Sequence, residues 1–168
     1  IQVNGNVNEL MVMKVLDLLD LKENHEVVDL FCGIGNFTIP IAQRVKKVIG
    51  IEYSEDLVDR ARKNSSINNI HNADFICEDL ECVSKKWEDL NCDRLLLDPS
   101  RNGASEVIKN IRMFSPNKIV YVSCHPGTLA RDSDLLVNQF GYVMSSAGII
   151  DMFPHTSHVE SVAVFDRE

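Results

Sequence analysis

Residues 26–37 read EVVDLFCGIGNF, an apolar run that turns at two closely spaced glycines and enters a segment of helical periodicity. A strand that feeds a helix through a glycine-rich turn is the opening unit of a doubly wound α/β sheet. Glycine tolerates positive φ and lets backbone approach a ligand, while the free N–H groups of the following helix point toward it. A dinucleotide fingerprint needs a third glycine where this chain has Thr38, and an acid, Asp29, already sits inside the strand end. A turn that merely connects strand and helix would read the same, so the other strand ends must decide.

Outward from this unit, β-rich runs recur at 47–52 (KVIGIE), 73–77 (ADFIC), 93–98 (DRLLLD) and 118–123 (KIVYVS). Segments with helical spacing lie between them at 37–44, 55–68, 81–90, 104–114 and 128–140. Such alternation predicts a parallel sheet with helices on both faces. An amphipathic helix, about Val7 to Leu21, precedes the first strand. At the other end YVMSSAGIIDMF (142–153) and VESVAVFD (159–166) leave no room for a helix between them, which predicts an antiparallel pair across PHTSH. Five parallel strands closed by such a hairpin is the Rossmann-like arrangement of class I methyltransferases, whereas a dinucleotide-binding sheet would continue with another helix.

A chain of 168 residues, 45% hydrophobic, can bury one sizeable core, and one domain over 1–168 is the expectation. The opening IQVN reads as the middle of a longer chain. No apolar run approaches the roughly 18 residues of a membrane span, and no signal-peptide order is visible, so a soluble, cytoplasmic protein is expected. The cysteines at 32, 77, 82, 92 and 124 form no C-x-x-C pair, which argues against a disulfide framework or a zinc site. A net charge of −8 and a pI near 5.1 speak against a free-standing nucleic-acid binder. Basic residues would have to cluster locally, as Arg44, Lys46 and Lys47 or Arg101 and Arg131 can, or an absent domain would carry the affinity.

The strand ends supply chemistry. Glu52 ends the second strand, where a carboxylate can accept hydrogen bonds from both ribose hydroxyls of a nucleoside cofactor. Asp79 follows the third strand, placed to meet an adenine amino group. Either acid alone could be a solvated charge. Together with the loop at Gly33 they read as one site, and with no pyrophosphate implied, S-adenosyl-L-methionine is favoured over NAD.

The fourth strand ends LDPSRNG (97–103) and the fifth SCHPGT (123–128), on the same sheet edge as the cofactor loops. Cys124 stands just before a helix start, whose positive dipole end favours a thiolate, and it fits either a nucleophile or a packed core thiol. Cys77, inside an apolar strand, reads as packing. Carbon 5 of a uracil is too weak a nucleophile to take a methyl group directly. A thiolate must add at carbon 6, and a base must later remove the carbon 5 proton. Glu160, beyond the loop 153–159, is the carboxylate chosen for that base. The loop's histidines with Glu160 also suggest a metal, but no partnering Cys/His cluster accompanies them, and no metal is expected.

From IQVNGNVNEL through DLFCGIGNFTIPIA, LLLDPSRNG and VYVSCHPGTLARD to DMFPHTSHVESVAVF, the chain resembles the catalytic domain of the RNA uracil-5 methyltransferases, especially the bacterial 23S ribosomal RNA enzymes. The last three motifs are specific; the glycine loop alone would fit many methyltransferases. The resemblance implies cofactor contacts from Gln2, Phe31, Asn36, Glu52, Asp79 and Asp98, with Gly33 in the loop. It implies nucleophile and base roles for Cys124 and Glu160, and Asp98, Arg101, Arg131 and His155 are read as substrate contacts. Two departures stand out: Ser100 after the Asp-Pro pair, where the family commonly has Pro or Ala followed by Arg, and His125, where it has Asn after the cysteine. The tRNA branch tends to carry Tyr at the position of His155, which favours ribosomal RNA over tRNA. In the family an N-terminal β-barrel RNA-binding domain, sometimes with an iron–sulfur cluster, precedes this region.

Two other readings remain at this point. A nitrogen or small-molecule methyltransferase would use the loop after the fourth strand and would not need Cys124. A cofactor-binding but inactive module that docks on RNA or protein would bind S-adenosylmethionine and transfer nothing.

Overall fold

Alternate residues along the central strands face opposite sides, and each side has its own helices to pack against. The computed structural model describes residues 5–82, 85–151 and 159–168. Helix α1 (Gly5–Leu19) leads into β1 (Glu26–Leu30), α2 (Thr38–Ala42), β2 (Lys47–Glu52), α3 (Glu55–Ile67) and β3 (Ala73–Cys77). Then follow β4 (Arg94–Leu97), α4 (Ser105–Lys109), β5 (Lys118–Ser123), α5 (Pro126–Phe140), β6 (Tyr142–Asp151) and β7 (Val159–Arg167). The strands form one sheet in the order β3-β2-β1-β4-β5-β7-β6. β1 to β5 pair in parallel, and β7 runs antiparallel between β5 and β6. The expected hairpin is therefore present, with its second strand inserted next to β5 and its first left at the sheet edge.

Val27, Val48, Leu96, Val120, Val122, Val162 and Val164 pack under Val15, Leu16 and Leu19 of α1 and Ile41 of α2. Val28, Leu30, Ile51, Leu95, Leu97, Ile119 and Phe165 point the other way, toward Ile108 of α4 and Leu129 and Leu136 of α5. Period-2 burial on both faces is what a sheet covered by helices requires. Arg94, buried at the start of β4, donates from Nε to the carbonyl of Leu19 at 2.8 Å and so satisfies a free carbonyl at the end of α1. Pro40 lies in the first turn of α2, where a missing N–H costs nothing.

Two of the helices read from the sequence take other forms. The span 81–90 holds a single 3₁₀ turn, Lys85–Asp89, with residues 83–84 outside the described set. Trp87 anchors it: the ring is buried, stacks on Phe114 at 5.5 Å and donates to Glu78 at 2.6 Å. One large anchor in a short connection needs no second turn. The span 104–114 divides into α4 and a 3₁₀ turn, Ile111–Met113. Asn110 interrupts it by donating its side-chain amide to the Glu106 carbonyl at 2.9 Å, a local bond that competes with helix continuation. Among the described residues no helix is long and apolar enough to cross a membrane.

Candidate active site

The carboxyl ends of β1 to β5 and the start of β7 meet along one edge of the sheet. At the end of β1 the chain reverses through Phe31 (φ 65), Gly33 (φ 55) and Gly35 (φ 84). Glu52 collects three backbone N–H groups: Gly33 donates to Oε2 at 3.1 Å and so fastens the turn to β2, while Tyr53 and Ser54, just beyond Glu52, donate to Oε1 at 2.9 and 3.1 Å. Asn36 exchanges two 3.0 Å side-chain bonds with Asn8 of α1, and Asn64 of α3 donates to the Ile34 carbonyl at 3.0 Å. The loop is thus held from three elements before any ligand arrives. Gly50 in β2 belongs to the same support, since a Cβ there would lie 2.8 Å from Cys32 Sγ.

Phe31, Tyr53, Asp79, Leu80, Glu81 and Ser100 line a cleft of about 430 Å³. Its lining joins aromatic and aliphatic side chains with the carboxylates of Asp79 and Glu81, a chemistry suited to a nucleoside: flat apolar faces for the base, acceptors for its donors. Asp79 already orders its own turn by accepting from the Glu81 N–H at 2.9 Å. Asp29 in β1 is fully buried, accepting from Thr38 Oγ1 at 2.5 Å through Oδ2, while its Oδ1 has no partner. Burial pushes Asp29 up to about 7, with the Thr38 hydrogen bond opposing and nearby Glu52 adding to the rise. A buried acceptor left unpaired is costly and fits a donor or cation brought by a ligand.

The reaction half begins at Asp98, half-buried after β4. Burial, then the charges of Asp29 and Glu160, push it up to about 8, so at neutral pH it is largely protonated and can donate as well as accept. β5 and β7 pair in register from Lys118↔Asp166 to Ser123↔Ser161. Cys124 follows the last paired residue of β5, and Glu160, in β7 opposite Ile150, precedes the partner of that residue, so both stand at the same end of the ladder. Cys124 is exposed and sits between two fastened residues. Ser123 Oγ meets both the N–H and the carbonyl of His125 at 3.1 Å, and His125 Nδ1 caps α5 by accepting from the Thr128 N–H at 3.2 Å. Burial pushes Cys32 and Cys92 far up, and hydrogen bonds with Glu55 and Asp79 push up Cys77 and Cys82.

Of the residues expected from the sequence, Phe31, Gly33, Asn36, Glu52, Asp79, Asp98, Cys124 and Glu160 thus lie at one sheet edge. Arg101 is exposed in the loop after β4. Arg131 lies on α5 and bonds to Asp132 and to the Asn102 carbonyl. Gln2 and His155 fall outside the described residues. Among the described residues no group of three His, Cys, Asp or Glu could hold a metal ion. The sequence reading passed over Tyr53, the orphan oxygen of Asp29 and Asp132. Asp132 was signalled: it falls on the buried stripe Leu129, Asp132, Ser133, Leu136 of a helix, where an acid demands partners.

The tRNA (Uracil-5-)-methyltransferase family model matches residues 1–168. A 23S rRNA (uracil(1939)-C(5))-methyltransferase of Xylella fastidiosa strain 9a5c is 52% identical over 169 residues, covering 99% of this chain and 38% of that protein. The crystal structure of Pyrococcus abyssi tRNA (uracil-54, C5)-methyltransferase with S-adenosyl-L-homocysteine superposes with a TM-score of 0.83 at 35% identity, over 98% of this chain and 39% of that one. A precorrin-6y C5,15-methyltransferase from Geobacter metallireducens shares the fold alone, with a TM-score of 0.80 at 15% identity over 95% and 88% of the two chains. The chain spans about two fifths of the length of the Xylella and Pyrococcus proteins. With every residue covered by the family model and half of them identical in the Xylella enzyme, this chain belongs to the tRNA (uracil-5-)-methyltransferase family and has the class I methyltransferase fold.

Proposed function

We propose that this chain carries the catalytic centre of an S-adenosylmethionine-dependent enzyme that methylates carbon 5 of a uridine in RNA, ribosomal RNA in preference to tRNA. The observation that carries the reading is the register of β5 on β7, under which Cys124 and Glu160 share one strand end beside Asp98. The preference for ribosomal RNA rests on the higher identity to the 23S rRNA enzyme than to the tRNA enzyme.

The residues at the other half of the edge fit the cofactor. The unpaired oxygen of Asp29 suits a donor on the ligand, Asp98 can donate to or accept from it, and Phe31, Tyr53 and Leu80 suit its adenine. Gly33, Asn36, Glu52 and Asp79 would hold it, with Gln2 expected from the resemblance. When bound, S-adenosylmethionine supplies an electrophilic methyl group to carbon 5.

Cys124 forms the C–S bond at carbon 6 and drives the C5–C6 electron pair toward the ring carbonyl, which makes carbon 5 nucleophilic. After methylation Glu160 takes the carbon 5 proton. The C5–C6 double bond returns as the C6–S bond breaks, and the thiolate is restored. Asp98 and Arg101 orient the base, together with His155 from the segment that precedes Glu160 in sequence. RNA affinity comes chiefly from the rest of the complete protein, because this chain carries a net charge of −8.

The complete protein with unmodified ribosomal RNA and cofactor tests the division of labour. Cys124→Ala forms neither adduct nor product. Glu160→Gln stalls after methylation, leaving a protein–RNA band on denaturing electrophoresis whose digest places methylated uridine on Cys124. A Cys124→Ala enzyme that still makes 5-methyluridine removes covalent catalysis from the reading, and a Glu160→Gln enzyme with normal turnover moves the base elsewhere.

A further inference from the structure

The segment 121–132 contains an acid that the proposed chemistry does not use. Asp132 is fully buried, on the stripe by which α5 packs on the sheet. Burying a carboxylate is tolerable only when its lone pairs are met, and here two oxygens collect four donors. Oδ2 accepts from the Ala104 N–H and the Tyr121 hydroxyl, both at 2.7 Å. Oδ1 accepts from Arg131 Nε at 2.9 Å and Nη2 at 2.7 Å. Arg131 Nη2 also donates to the Asn102 carbonyl at 3.0 Å. The partners come from three places: β5, α5 and the loop between β4 and α4. Gly103 lies directly on the cluster. Its φ is +81°, and a Cβ there would stand 2.5 Å from Arg131 Nη2 and 2.6 Å from Asp132 Oδ2.

Both ends of this cluster lead to the site. The loop it grips begins at Asp98 and carries Arg101, while Tyr121 and Arg131 lie on the strand and the helix that flank Cys124. We infer that Asp132, acting through Arg131 and Tyr121, is a positioning residue that fixes the Asp98–Ala104 loop against the β5–α5 turn, setting the distance between Cys124 and the groups that orient the base. Arg131 serves this clamp and does not bind an RNA phosphate. A planar guanidinium is required because it must reach Asp132 with two donors and Asn102 with one of them, which a lysine ammonium on a flexible stem does not reproduce.

The kinetic arm of the test rests on the methyltransferase reading; the exchange arm does not. In the complete protein, Arg131→Met and Arg131→Lys both lower kcat by about 10- to 100-fold, the scale of a misplaced reacting group. KM for cofactor, KM for RNA and the salt slope of RNA affinity change little. Tyr121→Phe shows a smaller loss of the same kind, and Arg131→Met adds nothing to Asp132→Asn in the double variant. Hydrogen exchange of the amides at Gly103 and Ala104 quickens in each variant while that of the α5 interior does not. The inference is overturned if Arg131→Lys restores turnover, or if Arg131→Met shortens the log–log salt slope by about one, the signature of a lost phosphate contact. Unchanged exchange in Arg131→Met and Tyr121→Phe also overturns it. If the wild-type protein methylates no RNA, the functional reading has failed, and the exchange data alone decide the clamp.

Discussion

At Asp98 and Asp29 the cost of holding a carboxyl in a covered site becomes a pH dependence. Both are raised, to about 8 and about 7, chiefly by burial, so the folded chain retains protons there that the unfolded chain has released above the ordinary carboxylate range. Their contribution to stability is complete below about pH 4 and is lost as pH rises toward 8. Asp98→Asn, which cannot ionise, is expected to melt higher than wild type at pH 8 by a margin that shrinks steadily as pH falls toward 4; a margin that does not change with pH would show that Asp98 is not raised. Glu52 is tied into the site by three backbone N–H groups that converge on its carboxylate. Glu52→Ala is expected to weaken cofactor binding by roughly 1.5–3 kcal/mol, the scale of charge-assisted hydrogen bonds. Calorimetry at constant pH checks this, and unchanged affinity would free Glu52 of its cofactor role.

Helix α5 begins with an unusual cap. His125 accepts the Thr128 N–H on Nδ1, and the ring is admitted by Gly127, where a Cβ would lie 3.0 Å from His125 Cε1. An asparagine oxygen can make the same bond with less bulk. His125→Ala should therefore cost about 1 kcal/mol, and His125→Asn far less. Gly127→Ala should destabilise the natural chain but be tolerated beside His125→Asn, a coupling on the order of 0.5 kcal/mol or more in a double-mutant cycle read by chemical denaturation. Additive effects would show that ring and glycine do not share the space. Because Cys124 directly precedes this cap, the departure from the family's asparagine is read as an exchange of capping groups.

For the whole molecule, a net charge of −8 bears on the proposed RNA substrate, because phosphate affinity comes mainly from Lys and Arg. The residues 1–168 alone, at −8, are expected to bind ribosomal RNA weakly and with a shallow salt dependence, while retaining cofactor binding. The complete protein should bind more tightly and with a steeper slope, measured by filter binding over a salt series. Tight, salt-sensitive binding by these residues alone would relocate the RNA-binding surface to this sheet edge.

Strand identity, the alternation of buried residues and the gathering of Phe31, Glu52, Asp79, Asp98 and Cys124 at strand ends were legible in the chain itself. They follow from local periodicity and from the rule that parallel strands point their carboxyl ends the same way. The antiparallel tail was legible too, because no helix fits between its strands. Tertiary structure alone decided that β7 enters between β5 and β6, which brings Cys124, just after β5, and Glu160, at the start of β7, to the same end of one ladder; register is set by which faces bury together, not by spacing along the chain. It also shortened the span around Trp87 to a single turn and divided the span at Asn110, where one buried ring and one side-chain hydrogen bond outweighed helical periodicity. The raised acids and the clamp at Asp132 belong to the same class. Their properties arise from donors and charges on other elements, and only packing brings those within reach.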